Sequence, residues 1–228
     1  MSTTMSIPMP REQLERVVRQ VVREGLSRGA APASPAAYKP NLVVNVSARH
    51  MHVTQEDLQR LFGAEASLTV YRWLYQPGEY AAEQTVTIIG PRRRTIDRVR
   101  ILGPMRQYSQ IELALTDGIA LGIDLPVRRS GDLPGTPGCV VMGPAGVLEM
   151  KQGVIRAERH VHMAPADAEH YGSADGQYVR LRVHGSATAT FEQVLCRVDP
   201  RVLLEVHLDT DEGNACDLPN ATGVELLT

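Results

Sequence analysis

Two short stretches of this sequence carry residues able to hold a metal ion, and one repeats the other. Arg49-His50-Met51-His52-Val53 returns as Arg159-His160-Val161-His162-Met163. In extended backbone, residues i and i+2 face the same side, so each H-x-H presents two imidazoles to one point in space. Two imidazoles and a third protein ligand suit zinc, and a catalytic site keeps the next position open. A single H-x-H is an ordinary pair of strand histidines. Two of them in matching settings point to two metal sites.

Each pair needs a third ligand on an ordered strand facing the same cleft. Gln110-Ile111-Glu112-Leu113-Ala114-Leu115 interrupts its apolar neighbours with Glu112, and Leu203-Leu204-Glu205-Val206-His207-Leu208 brings Glu205 and His207 to one face. Glu56 and Asp167, a few residues after each pair, are alternatives for which helix capping competes. His50-x-His52-x-x-x-Glu56 also imitates the ligand run of the all-β cupin metalloenzymes, but the second copy has no Glu at that spacing. His170 and His184 lie outside the pattern and read as surface positions. Arg106 follows the Gly103-Pro104 turn, six residues before Glu112. There its guanidinium fork can meet phosphate beside a metal-bearing strand, a surface arginine being the plainer alternative. Arg92-Arg93-Arg94 reads as a solvated hairpin tip.

The elements that must position these residues are mostly strands. Alternating runs fall at 68–75, 84–90, 96–102, 110–115, 139–142, 178–184, 190–198 and 202–208, divided by turns such as Gly90-Pro91, Gly103-Pro104 and Asp175-Gly176. That rhythm favours barrels or sandwiches over a parallel α/β fold. Each R-H-x-H follows a strand-like stretch, 42–46 or 153–157, and precedes a short helix. The first helix is expected from Thr54 to Phe62, with a Thr-x-x-Asp box and Gly63 as stop; the second runs from Ala164 to Tyr171, with Pro165 near its start and Gly172 as stop. No Walker A, G-x-G-x-x-G or G-x-S-x-G motif is present.

Composition narrows the function. A net charge of −2 and 4% aromatic residues give neither the electrostatic footprint nor the stacking platforms of a nucleic-acid binder. Three scattered cysteines argue against a disulfide scaffold and for a reducing compartment. No apolar run approaches the roughly 18 residues of a membrane span. Pro10 to Leu26 reads as an amphipathic helix with Leu14, Val17, Val18, Val21, Val22 and Leu26 on one stripe, tethered by an Ala/Pro-rich linker. It either packs on its own domain or docks into a groove elsewhere.

Several stretches together resemble one family. They are Ser47-Ala48-Arg49-His50-Met51-His52, Glu83 to Thr87, Ile101 to Arg106 with Gln110 to Glu112, Pro126 to Leu133, Arg159 to His162, and Glu205 to His207 through Asp211 to Ala215. In order, over about residues 42 to 215, they are similar to the PduL-type phosphotransacylases (phosphate propanoyltransferases). The N-terminal helix and linker resemble the encapsulation peptides that load such enzymes into bacterial microcompartments.

The resemblance implies a mainly β fold of two tandem β-barrels capped by short α-helices. It divides the chain into the helix (1–28), the linker (29–41), a central barrel (49–153) and a second barrel (42–48 with 154–228). It implies two zinc ions per chain, one on His50, His52 and Glu112, the other on His160, His162 and His207, with Arg106 as the phosphate-contacting catalytic arginine. The implied reaction exchanges acyl groups, typically propanoyl, between coenzyme A and inorganic phosphate. The implied setting is a homo-oligomer in a microcompartment lumen within the cytoplasm, meeting shell or cargo through its N-terminal helix. Ser109 stands where Thr is common in the family, and either keeps a hydroxyl. None of the cysteines lies in the repeated motif, so direct attack by phosphate is expected rather than an acyl-cysteine.

Overall fold

A computed structural model describes residues 38–228; the expected N-terminal helix and nearly all of its linker lie outside them. Residues Pro40–Thr228 form one compact unit. The chain runs through β1 (Val43–Val46), β2 (His50–His52), α1 (Gln55–Phe62), β3 (Val70–Trp73), β4 (Tyr80–Ile89), β5 (Thr95–Gly103) and β6 (Gln110–Glu112). Then follow α2 (Leu115–Leu121), β7 (Val127–Arg128), β8 (Cys139–Met142), β9 (Val147–Met150), β10 (Val154–Ala157) and β11 (His160–Met163). The last elements are α3 (Pro165–Tyr171), β12 (Tyr178–His184), β13 (Ala189–Val198), β14 (Glu205–Leu208), α4 (Thr210–Ala215), a 3₁₀ turn (Leu218–Asn220) and β15 (Gly223–Leu227).

These strands make two curled sheets, each a half-barrel over its own core. The larger has the order β7-β10-β6-β2-β5-β4-β8-β9, with β3 on β4, and covers a core that includes Ile88, Ile101 and Ile111. The smaller has the order β1-β14-β11-β13-β12-β15 over Val161, Leu181 and Val206. Barrels were the expectation; in both sheets the hydrogen-bonded order has two ends among the described residues, so the curl stops short of closure.

The two sheets exchange strands. β1 precedes β2 in the chain, yet pairs in parallel with β14 of the smaller sheet (Val43↔Glu205 to Val46↔Leu208). β10 does the reverse. Although it precedes β11 of the smaller sheet, it pairs in parallel with β6 of the larger one (Val154↔Ile111, Ile155↔Glu112). Residues 154–157, expected with the second barrel, therefore belong to the larger sheet. Each R-H-x-H begins just after the chain has crossed from one sheet to the other.

The four described helices start in two ways. Thr54 caps α1, its hydroxyl accepting Asp57 N–H at 3.1 Å, and Gly63 stops it at φ 104. Asp209 caps α4 by accepting Glu212 N–H at 2.8 Å. α2 and α3 begin on Ala114 and Ala164, which offer no side-chain oxygen. Their third-position acids, Asp117 and Asp167, instead accept the backbone N–H of the capping alanine at 3.3 and 2.9 Å. Gly213 lets α4 lie close on β1, because a Cβ there would collide with Val46.

Candidate active site

The cross-strand register brings the expected ligand residues together. β2 and β6 are antiparallel with His50 opposite Glu112 and His52 opposite Gln110. β11 and β14 repeat that geometry with His160 opposite His207 and His162 opposite Glu205. Candidate ligand atoms of His50, His52 and Glu112 lie within 4.8 Å of one another, and so do those of His160, His162 and His207. Glu56, the cupin alternative, is exposed on α1 and belongs to neither cluster. Asp167 is occupied in capping α3.

The two pairs are nearly superimposable in their internal geometry. Ring centroids stand 4.9 Å apart at 85° for His50 and His52, and 4.9 Å apart at 86° for His160 and His162. In each pair the first histidine donates Nδ1–H to the carbonyl two residues back, Ala48 or Glu158, at 2.8 Å. A carbonyl only accepts, so that bond leaves Nε2 with its lone pair free, the tautomer a metal ligand needs.

In the first cluster His50 Nε2 lies 3.2 Å from His52 Nε2 and 3.5 Å from Glu112 Oε2. A tetrahedral ion with bonds of about 2.0–2.1 Å has ligand–ligand edges of about 3.3 Å, between those two distances. In the second, the His160 and His207 rings stack 4.9 Å apart at 10°, and His162 meets His207 edge-on at 5.1 Å. His207 Nε2 is buried, and its near neighbour outside the imidazoles is Glu205 Oε2, 3.1 Å away. A buried imidazole nitrogen among two others, with a carboxylate beside it, suits an ion. Both donor sets, two imidazoles with a carboxylate and three imidazoles, are ones zinc uses.

The surroundings keep three of the imidazoles, those of His52, His160 and His162, neutral. Burial lowers the pKa of His52 well below 6.5, helped by the neighbouring His50 and Arg106. Burial does the same to His160, with His207 and His162 adding to it. His162 falls to about 3 through burial, then His207 and Arg197. Arg106 thus belongs to the field of the first cluster and Arg197 to that of the second.

Supporting residues hold the carboxylates in place. Gln110, fully buried, donates from Nε2 to Glu112 Oε1 at 2.6 Å and to Ser130 Oγ at 2.9 Å, while Gly131 N–H binds its Oε1 at 2.7 Å. Ser130 Oγ also accepts from Arg106 Nη1 at 3.0 Å, so arginine and carboxylate share one network. Glu205 takes donors from Asn45 and Gln76, each at 2.6 Å. Burial alone would raise the pKa of Glu205, but contact with His207 and these amides holds it below the ordinary carboxylate value.

Both clusters line one cleft of about 660 Å³, together with Arg49, Arg72, Arg100, Arg106 and Arg197. Five guanidiniums around two donor clusters suit anionic substrates. Arg197, Gln76, Gln110 and Ser130 were not singled out for a site role from the sequence. The usable signal for Arg197 was a charge breaking the apolar run Val194-Leu195-Cys196. Gln76 and Ser130 are polar residues whose roles depend on contacts made across loops, and the signal for Gln110 was its place two residues before Glu112 on the same strand. All three cysteines are buried, with thiols pushed up by burial, Cys139 to about 12, so none is a ready thiolate.

A family profile described as phosphate propanoyltransferase matches residues 43–219. Among curated relatives, a phosphate propanoyltransferase of Planctopirus limnophila is 57% identical over 222 residues, covering 95% of this chain and 91% of its own. One from Thermotoga maritima is 50% identical over 181 residues, 79% of this chain and 86% of that one. One from Lachnoclostridium phytofermentans is 42% identical over 216 residues, 95% and 97% respectively.

Proposed function

The chain belongs to the phosphate propanoyltransferase family, and on that premise we propose the reaction and the ions its cleft serves. The enzyme is a phosphotransacylase. Its reaction is the reversible conversion of acyl-CoA, propanoyl-CoA above all, and inorganic phosphate into acyl phosphate and coenzyme A. Two zinc ions are held per chain, one by His50, His52 and Glu112, the other by His160, His162 and His207. The observation that carries this reading is the pair of donor clusters with a flanking arginine each, facing one cationic cleft.

A phosphate oxygen attacks the thioester carbonyl carbon; the C–O bond forms, the C–S bond breaks, and coenzyme A leaves as thiolate. Zinc held by these two residue sets would supply Lewis-acid stabilisation of the developing negative charge and a site soft enough for a thiolate. Arg106 orients the phosphate, its guanidinium fixed by Ser130 Oγ at 3.0 Å and by Glu79 at 3.9 Å. Gln110 keeps Glu112 from turning away, because both ends of its amide are occupied. Arg197 faces the second cluster, where it meets the acyl-CoA side of the exchange. With the cysteines buried, attack is direct and no acyl-enzyme intervenes.

The further parts of this reading concern context. Residues 49–153 and 42–48 with 158–228 act as two domains, β10 (Val154–Ala157) completing the first. The chain acts as a homo-oligomer in a microcompartment lumen, loaded by its N-terminal segment. Deleting residues 1–28 is expected to abolish loading and leave turnover intact.

The decisive assay is thiol release from propanoyl-CoA with and without phosphate. Release that requires phosphate and yields propanoyl phosphate is expected. Release without phosphate, or none, rejects the reading, and the latter favours a non-catalytic scaffold role.

A further inference from the structure

The arginine that opens each R-H-x-H is no part of either ligand cluster, yet it stands at the same place in both copies. Arg49 lies on the crossing from β1 to β2, and Arg159 on the crossing from β10 to β11. Each reaches a carboxylate from the helix that follows the strand of the third cluster residue. Arg49 Nη2 is 3.3 Å from Asp117 Oδ1, and Arg159 Nε is 2.9 Å from Glu212 Oε1.

The spacing is the same in both copies. Glu112 is followed two residues on by the helix cap Ala114 and five on by Asp117; His207 is followed two on by Asp209 and five on by Glu212. The two oxygens of each acid also divide their work alike. Asp117 Oδ2 takes the Ala114 N–H at 3.3 Å while Oδ1 faces Arg49. Glu212 Oε2 takes the Asp209 N–H at 2.9 Å while Oε1 binds Arg159. One oxygen therefore fixes the backbone two residues past the third cluster residue, and the other fixes that backbone to the crossing that carries the histidine pair. Both carboxylates are buried, at 7% exposure, so neither is free to find another partner in water.

We propose that Arg49 and Arg159 are positioning residues, each setting the third ligand of its own cluster, Glu112 or His207, against the H-x-H pair through Asp117 or Glu212. This rests on the metal reading above. The copies differ in how the acid is partnered: Glu212 also binds Arg156 Nη2 at 3.1 Å, whereas among described residues Arg49 is the one ion-pair partner of Asp117. Changing Arg159 therefore leaves Glu212 a partner, and the larger loss is expected for Arg49.

The test is Co²⁺ titration of the metal-stripped full chain, read by visible absorption, in two backgrounds. His160→Ala/His162→Ala leaves the first cluster alone to be read, and His50→Ala/His52→Ala leaves the second. Arg49→Met is expected to weaken Co²⁺ binding roughly tenfold and shift the absorption bands in the first background. It should change neither in the second. Arg159→Met should show the converse pattern with a smaller loss, and Arg49→Lys should recover part of the affinity. Arg49→Met/Asp117→Asn should be no weaker than Arg49→Met alone. Arg49 is substantially exposed, so its variants carry the test if Asp117→Asn does not fold. Equal losses in both backgrounds, or none, overturn the proposal while leaving the metal reading intact. A parent chain that takes up no metal overturns the metal reading and the proposal with it.

Discussion

The two donor clusters occupy equivalent rungs of equivalent strand pairs, yet their carboxylates stand at different places. In the larger sheet the rung opposite the first histidine is Glu112 and the rung opposite the second is Gln110. In the smaller sheet those rungs are His207 and Glu205. One cluster thus holds its negative charge inside the ligand set and the other beside it, locked by Asn45 and Gln76. Burial differs as well: His50, His52 and Glu112 are buried, while His160, His162 and His207 are partly open to the cleft. A repeated scaffold can thus supply two unlike sites by moving one carboxylate a single rung. A cation held by two imidazoles and a carboxylate keeps less net charge than one held by three imidazoles.

The largest effect should come from removing a ligand. His50→Ala and His207→Ala should each abolish phosphate-dependent thiol release and lower bound metal by one equivalent, read by elemental analysis. If either variant kept both ions and full turnover, that cluster would drop out of the account. Next, Arg106→Ala should lower kcat/KM by roughly 10²–10³ with metal content unchanged, as removal of a charge-stabilising donor does. The comparison sharpens if the loss appears in the phosphate KM for Arg106→Ala and in the acyl-CoA KM for Arg197→Ala. Smaller again, Gln110→Ala and Glu205→Gln should each weaken metal affinity by about 10–100-fold at their own cluster only. Crossed or shared losses in those two variants would mean the clusters are not independent.

The smallest contrast concerns acid. In the metal-stripped chain, His52, His160 and His162 have folded pKa values below the unfolded 6.5. Below about pH 6.5 the unfolded chain therefore binds more protons than the folded one, and stability falls as pH drops toward the folded values, about 3 for His162. Two of these groups are in the second cluster and one is in the first. Tm measured against pH in chelator should accordingly flatten more in His160→Gln/His162→Gln than in His52→Gln. The reverse order would mean that His52 alone carries more of the acid sensitivity than His160 and His162 together.

Much of this was legible in residues and spacing because period-two backbone and duplication are local signals. The R-H-x-H repeat located four of the six cluster residues. α1 and α3 were expected from Thr54, Gly63, Pro165 and Gly172, each of which marks a boundary by its own chemistry. α2 and α4 escaped because they are seven and six residues long, too short to show helical periodicity, and each contains a glycine. Leu113 to Leu115 read as a continuation of strand, although the chain turns at Ala114. A fuller signal was present all along. His52, Glu112, His162 and His207 are each followed two residues later by a helix cap and five residues later by an acid: Asp57, Asp117, Asp167 or Glu212. The exchange of β1 and β10 was only half visible, since strand partners far apart in sequence leave no trace in local pattern. Gln76 and Ser130 act through contacts across loops, which no spacing encodes, whereas Gln110 stands two residues before Glu112 on one strand and so was open to the same period-two reasoning.

The central claim is that two unlike metal sites share one cleft. Anomalous diffraction at the zinc absorption edge, from crystals of the full chain as purified, tests it most directly. The account predicts two peaks in that cleft, one among His50, His52 and Glu112 and one among His160, His162 and His207. No peak at either cluster, or a single ion drawing ligands from both, would contradict it.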